Sequence, residues 1–311
     1  MSDLSKLRET ELEILEAFMD VCEGHSLTWY AMFGTLLGAA RDGGFMLWDD
    51  DIDVAMPYDD YLTLCAHKEW FDERYFLQTP LDKGRQNCLK VRRNGTTALS
   101  APLRESLRCG GHQGICIDVL PLGEINNSGY YSSSLDIAYP KDCFGIPQTL
   151  QFEHLQINVP RAYRKVLTLT YKYWNWPSGA ERVTPHYWFY DTEKDYSKYV
   201  EKYTGWLNEI EGKKIYLFGA GDSLRIWLRD FGFRDQVVCT FDNDSARWGT
   251  EAYAVAVRNP AELPGLIDAN SRLIVTSIWD KEIEKQLEAM GITEYFVFLD
   301  GLFNSASQEK S

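Results

Sequence analysis

The chain reads as two successive α/β domains: a mixed sheet with flanking helices, then a smaller, doubly wound parallel sheet. Three observations lead there. Trp48-Asp49-Asp50-Asp51-Ile52-Asp53-Val54 sets four carboxylates in five positions and runs on into an apolar strand, Ile52 to Met56. A later apolar strand, Gly114 to Pro121, carries one central acid, Asp118. From Lys214 onward, short apolar strands alternate with helical stretches, the texture of a parallel sheet covered by helices.

Each element follows from local pattern. Leu4, Leu7, Ile14, Leu15, Phe18, Met19 and Cys22 recur at helical spacing over residues 3 to 23. A strand from Leu27 to Phe33 reaches the Gly34-Thr35 turn, and Thr35 to Arg41 forms a short helix. After the acidic strand come a helix from Asp59 to Lys68 and strands at Tyr75 to Gln78 and Cys88 to Arg92. The strand containing Asp118 is stopped by Pro121. Residues 123 to 147, rich in Asn, Ser, Gly and Tyr, suit a long loop facing the acceptor. Val159 to Trp176 is expected to be helical, with Pro160 in its first turn. Polar and aromatic residues from Ser178 to Glu211 carry no strand signal and mark the connection, so the domains are drawn at 1–205 and 206–311. In the second, strands at Lys214–Phe218, Val237–Phe241, Arg272–Ser277 and Tyr295–Leu299 are interleaved with helices at Asp222–Phe231 and Lys281–Met290.

Composition narrows the classes. The 311 residues suffice for two domains, and 45% hydrophobic with 14% aromatic residues argues for filled cores. A net charge of −14 disfavours nucleic acid as a general partner. No stretch approaches the ~20 apolar residues of a membrane span, and the first 25 residues lack the apolar region of a signal peptide. Seven cysteines without regular spacing fit a reducing compartment, so a cytoplasmic protein is expected.

The chemistry concentrates around the acids. Residues two apart on a strand share a face, so Asp49, Asp51 and Asp53 project together, and like charges that close need a cation among them. A hard divalent ion, Mg²⁺ or Mn²⁺, is the expected cofactor. The Gly34-Thr35 turn, entering a helix, presents backbone amides to a phosphate. Arg41, Lys90, Arg92 and Arg93 supply positive charge, with Lys90 and Arg92 on one strand face. Trp48 and Tyr171 frame the pocket or pack beneath it.

Four segments, FGTLLGAARDGGFMLWDDDIDVAM, LKVRRNGTT, GICIDVLPL and FEHLQINVPRAYRKVLTLTYKYWNWP, resemble in order and spacing the LicD family, which includes the fukutin-related transferases. The resemblance covers about residues 25 to 177 and implies a polymerase β-type nucleotidyltransferase fold. It implies transfer of a phospho-alcohol, such as phosphocholine, from a CDP-linked donor to a hydroxyl of a cell-surface glycan acceptor. On that basis Asp51 and Asp53 are metal ligands, with Asp49 a third or supporting acid. Asp118 is the third catalytic acid, sharing the metal or accepting a proton. Gly34, Thr35, Arg41, Trp48, Lys90 and Arg92 contact the donor, Lys90 foremost, and Glu153 matches a recurrent family acid. Two other readings stay open: a nucleotidyltransferase using an NTP, and a non-catalytic binding subunit. Some fukutin-related members carry a zinc loop near Cys109, His112, Cys116 and Cys143; here there is no paired Cys-x-x-Cys, and reduced thiols are the default.

In the second domain, Ile215 to Gly221 is a strand entering a glycine turn before a helix, and Asp242 ends the next strand. This is a Rossmann-type beginning. Leu224 replaces the third fingerprint glycine, which counts against a dinucleotide pyrophosphate. The FGAG and FDND stretches resemble Rossmann-like modules attached to surface-polysaccharide enzymes. Nucleotide binding, acceptor binding, homodimer formation and stabilisation all remain open for this module.

Overall fold

In the computed structural model the described residues are 4–83, 88–100, 103–125, 129–132, 137–174, 186–187 and 189–298. They form two compact units. One contains Leu4–Leu99 and Cys109–Tyr196; the other takes Ser100–Arg108 together with the chain from Ser197 onward.

The first unit opens with α1 (Ser5–Gly24), whose buried stripe is Leu7, Glu11, Ile14, Leu15, Phe18 and Cys22. Spacing at three and four residues puts these on one helix face, and that face includes an acid. Next come β1 (Tyr30–Ala31), α2 (Phe33–Arg41), β2 (Asp53–Pro57), α3 (Tyr58–Ala66), β3 (Tyr75–Gln78), β4 (Leu89–Arg93) and β5 (Thr97–Leu99). After α4 (Leu103–Arg108), which belongs to the other unit, follow β6 (Cys116–Ile125), β7 (Gly129–Ser132), β8 (Ile137–Pro140), β9 (Gln148–Phe152), β10 (Leu155–Val159), α5 (Tyr163–Tyr171) and β11 (Phe189–Asp191). The main sheet runs β1-β2-β6-β4-β3, with β7 and β8 added beyond β6. Only β2 and β6 pair in parallel; the other pairs in this sheet are antiparallel. Its core gathers Phe18, Tyr30, Ile52, Val54, Val91, Ile117 and Val119.

Several elements depart from the sequence reading. The first strand is two residues long, and the helix begins at Phe33, so Gly34 and Thr35 lie in its first turn. Phe33 adopts a left-handed φ of 49° to make that abrupt change of direction. Pro121 does not end β6. It falls between the stretch paired with β4, through Val119, and the stretch paired with β7, from Gly123, where that edge has no ladder bond to lose. Among the described residues of the stretch 123 to 147, the end of β6, β7 and β8 pair in succession where one long loop was expected, with Tyr130 opposite Tyr139. The expected helix from Val159 starts at Tyr163, since Gln148–Val159 closes a hairpin first.

The second unit adds α6 (Tyr196–Ile210), β12 (Lys214–Phe218), α7 (Asp222–Phe231), β13 (Val237–Phe241), β14 (Glu251–Ala252), β15 (Val255–Arg258), β16 (Ser271–Val275), α8 (Asp280–Ala289) and β17 (Phe296–Val297). Its sheet order is β14-β15-β13-β12-β16-β17, parallel except for β14. The stretch read as connection holds a full helix, α6: Tyr199, Tyr203, Trp206, Leu207 and Ile210 are buried at helical spacing. Among the described residues no helix is long and apolar enough to cross a membrane.

Close packing of α2 against the loop that follows it gives a test. A Cβ on Gly38 would overlap the carbonyl oxygen of Gly44. Gly38→Ala is therefore expected to destabilise by about 2 kcal/mol, although alanine is the better helix former. Denaturant unfolding should show this as a lower midpoint.

Candidate active site

Sheet register builds the centre of the site. Asp53 on β2 stands opposite Asp118 on β6, and Lys90 on β4 stands opposite the same Asp118. The Lys90 ammonium and the Asp118 carboxylate form an ion pair. Ile52, Val54 and Met56 are fully buried on the strand's other face, so Asp53 is turned toward the site by alternation. Its backbone N–H donates to Thr35 Oγ1 at 2.9 Å, which ties the first turn of α2 to the start of β2. Thr35 itself is 1% exposed.

Asp49, Asp50 and Asp51 lie just before the strand, each with its own surroundings. Asp49 is buried against α2, where a Cβ on Gly34 would come within 2.8 Å of its carboxylate; glycine makes that approach feasible. Arg8 of α1 holds this turn by donating to the carbonyls of Met46, at 2.7 Å, and Asp49, at 2.8 Å. Asp50, also buried, accepts the backbone N–H of His186 at 3.0 Å and faces its Nδ1 at 2.9 Å. The same Nδ1 is 3.3 Å from Asp51. Asp50, Asp51 and His186 thus place three potential ligand atoms within 4.8 Å of one another, the grouping of metal-binding type that the described residues contain.

Electrostatics follow from this crowding. Burial, then Asp51 and Asp50, push the Asp49 carboxyl up to about 7. Burial raises Asp51 to about 6, with His186 and Lys90 pulling against Asp50 and Asp118. Asp53 is held well above the carboxylate range by burial, Asp51 and Asp118. His186 moves up to about 9, chiefly through its hydrogen bond to Asp50. Burial pulls the Lys90 ammonium down, but Cys116 and Asp118 outweigh it and keep the group charged. Glu11 is fully buried near these acids, and neither of its oxygens has a hydrogen-bond partner among the described residues. Burial and then Asp51 hold it well above the usual range, which keeps it neutral.

The structure therefore brings Asp49, Asp51, Asp53, Asp118, Lys90, Gly34 and Thr35 together. Tyr171 joins them: after burial, Asp53 and Asp49 are the groups that push its phenol up. Arg92 does not take part. It is buried, donating to Gln78 Oε1 and to the Gly114 carbonyl at 2.7 Å. Arg41 pairs with Asp42 at 2.8 Å and lies 5.8 Å over the Trp48 ring. Arg93 is bound to Glu13 at 3.2 Å. Glu153 accepts the Phe45 N–H at 2.9 Å, fixing the glycine turn that leads into the acidic segment. Among the described residues Cys109, His112, Cys116 and Cys143 form no metal group: His112 has one nitrogen on Asn94, at 2.8 Å, and the other on the Gly114 N–H, at 3.0 Å. His186, Asp50 and Glu11 were absent from the expected set. Asp50 stood in the acidic run without a role of its own, Glu11 left a trace as an acid inside the apolar stripe of α1, and His186 left none.

With the site in place, the comparisons define its class and then its family. The matching family model is described as LicD/FKTN/FKRP, nucleotidyltransferase domain, and it covers residues 26–162, the segment containing Asp49 to Asp53, Lys90 and Asp118. That segment, less than half of the chain, is similar to the LicD family. The chain is also similar to the lipopolysaccharide cholinephosphotransferase LicD of Haemophilus influenzae, with 42% identity over 72 residues. The similar stretch is 22% of this chain and spans 26% of that relative's length.

Raised carboxyl pKa values set the direction of a pH effect. The folded state binds protons to Asp49 and Asp51 more tightly than the unfolded chain, so their stabilising contribution is complete below about pH 4 and is lost as pH rises to about 7. The metal-free protein should lose on the order of 2 kcal/mol relative to Asp49→Asn across that window. Unfolding of both proteins in a chelator, at stepped pH, checks it.

Proposed function

We propose that this chain is a metal-dependent phosphotransferase that moves a phospho-alcohol, phosphocholine or a similar group, from a CDP-activated donor to a hydroxyl of a cell-surface glycan precursor. CMP leaves, and the reaction takes place in the cytoplasm. The observation that carries this reading is the register of Asp53, Asp118 and Lys90 on three adjacent strands, with Asp51 and His186 beside them.

The donor set fits a hard divalent ion. Asp51, Asp53 and Asp118 offer carboxylate oxygens; burial first, and neighbouring acids after it, raise the pKa values of Asp51 and Asp53, and a dication would favour their ionised forms. Mg²⁺ or Mn²⁺ bound there would neutralise charge on the donor's pyrophosphate. The protein's own groups do the positioning. The first turn of α2, which has no side-chain cap, leaves backbone amides for a phosphate. Lys90 holds Asp118 by an ion pair, which positions Asp118 to take the proton of the attacking hydroxyl or to serve as a ligand. His186, charged at neutral pH, offsets Asp50 and Asp51 at the exposed rim. Tyr171, 38% exposed, offers an aromatic face to a quaternary ammonium. A nucleotidyltransferase that uses an NTP is the second reading, favoured by the description of the matching family model.

CDP-choline, CDP-ribitol, CDP-glycerol and CTP, each with and without Mg²⁺, separate these readings by thermal shift. A ligand at a hundred times its Kd stabilises by ~2.7 kcal/mol, and a CDP-alcohol is expected to do so only with metal present. Asp51→Asn and Asp53→Asn should each cut CMP release on the order of 100-fold or more. Pyrophosphate from CTP, with no CMP from any CDP-alcohol, would overturn the phosphotransferase in favour of the second reading.

A further inference from the structure

The second unit has a crevice of its own, of about 680 Å³, within the size range of small-molecule sites. Its position is set by topology. From β12 the chain moves outward to β13 and β15, then returns to lay β16 on the other side of β12. Loops leaving the carboxyl ends of β12 and β16 therefore diverge, and the opening between them is where open parallel sheets bind ligands. Gly219, Gly221 and Asp242 line one side, and Ile278 and Trp279 the other.

Three features give the crevice a chemical character. First, Gly219 has a φ of +117°, and a Cβ there would meet the Thr276 carbonyl oxygen at 2.5 Å, so the floor is bare backbone. Second, Asp242 is pinned at the end of β13: one carboxylate oxygen accepts the Ala220 N–H and the other the Asp244 N–H, both at 2.9 Å. Each oxygen keeps a free acceptor direction, an arrangement suited to a vicinal diol. Third, Ile278 and Trp279 are 65% and 63% exposed, an unusual pair of large apolar side chains to leave in water at a cavity wall.

We propose that this crevice binds a mononucleotide. Asp242 accepts the ribose hydroxyls, Trp279 and Ile278 cover the base, and the phosphates lie along Gly219–Gly221 at the start of α7. The limits of the ligand follow from the same residues. Leu224, fully buried, occupies the position where a glycine would bring α7 close enough for a dinucleotide pyrophosphate. Asp222, Asp244 and Glu282 also line the crevice and, with Asp242, outnumber the cation there, Arg247, so each added phosphate meets more repulsion. Diphosphates are favoured over triphosphates, and mononucleotides over dinucleotides. The residues that line this site all belong to the second unit, and the proposal does not rest on the activity proposed for the first.

Calorimetric titration of the full chain with ADP, UDP, ATP, NAD⁺ and free ribose tests the proposal. ADP or UDP should bind saturably, more tightly than ATP, NAD⁺ or ribose. Trp279→Ala, a change at an exposed side chain, should weaken that binding at least about tenfold. Asp242→Asn should weaken it too, whereas Asp51→Asn should leave it unchanged. Two results would overturn the site: no binding of either diphosphate at about 1 mM, or binding that Asp51→Asn abolishes and Trp279→Ala spares. Tighter binding of NAD⁺ than of ADP would overturn the mononucleotide assignment.

Discussion

Two carboxylates and an ammonium on three neighbouring strands stand level because β2 runs parallel to β6 while β4 runs antiparallel to it, with Asp118 at both registers. Strands in a sheet lie about 4.8 Å apart, so these charges cannot escape one another without breaking ladder hydrogen bonds. Lys90 neutralises one of the two acids. The other, Asp53, is left beside Asp51 in a largely desolvated place, and both carboxyls are pushed upward. The excess of negative charge that defines the site is thus a property of backbone pairing, which the hydrophobic faces of the same strands hold in place.

Much of the surrounding sequence serves to keep that segment in position. Arg8 gathers the carbonyls of the turn before it, and Glu153 secures the glycine turn one step earlier. Thr35 holds the first amide of β2, and Gly34 makes room for Asp49. Asp50 draws in His186 from a distant part of the chain, so a residue 136 positions away supplies the cation facing two of the acids. Glu11 is the costly member: a buried carboxyl with neither oxygen bonded among the described residues, tolerated as a neutral acid.

The second unit shows a different economy. Phe218, Phe241, Val275 and Leu287 fill the interior beside its parallel sheet, and Asp242 and Thr276 follow directly on the strand ends. Backbone bonds from Gly219 to Phe241 and from Thr276 to Phe218, both 2.7 Å, close the strand ends and leave the crevice above them. In both units the candidate site lies over an apolar layer of the sheet, although the sheets differ in connection.

Spacing and composition determined β3, β4, the acidic segment with Asp53, the lone Asp118 and the alternating second half, because each leaves a periodic or compositional trace in local sequence, whereas the family resemblance singled out Lys90 among the basic residues. Local pattern missed α6, whose tyrosines and tryptophan looked like loop residues, and it carried β6 only as far as Pro121. Tertiary structure alone decided the rest. Lys90 and Arg92 share a strand face, yet only Lys90 meets Asp118, because Gln78 and the Gly114 carbonyl capture the guanidinium of Arg92. His186 carries no sequence signal of its own; its partner Asp50 reaches it through chain folding, and pairing at that separation is written in contacts, not in periodicity.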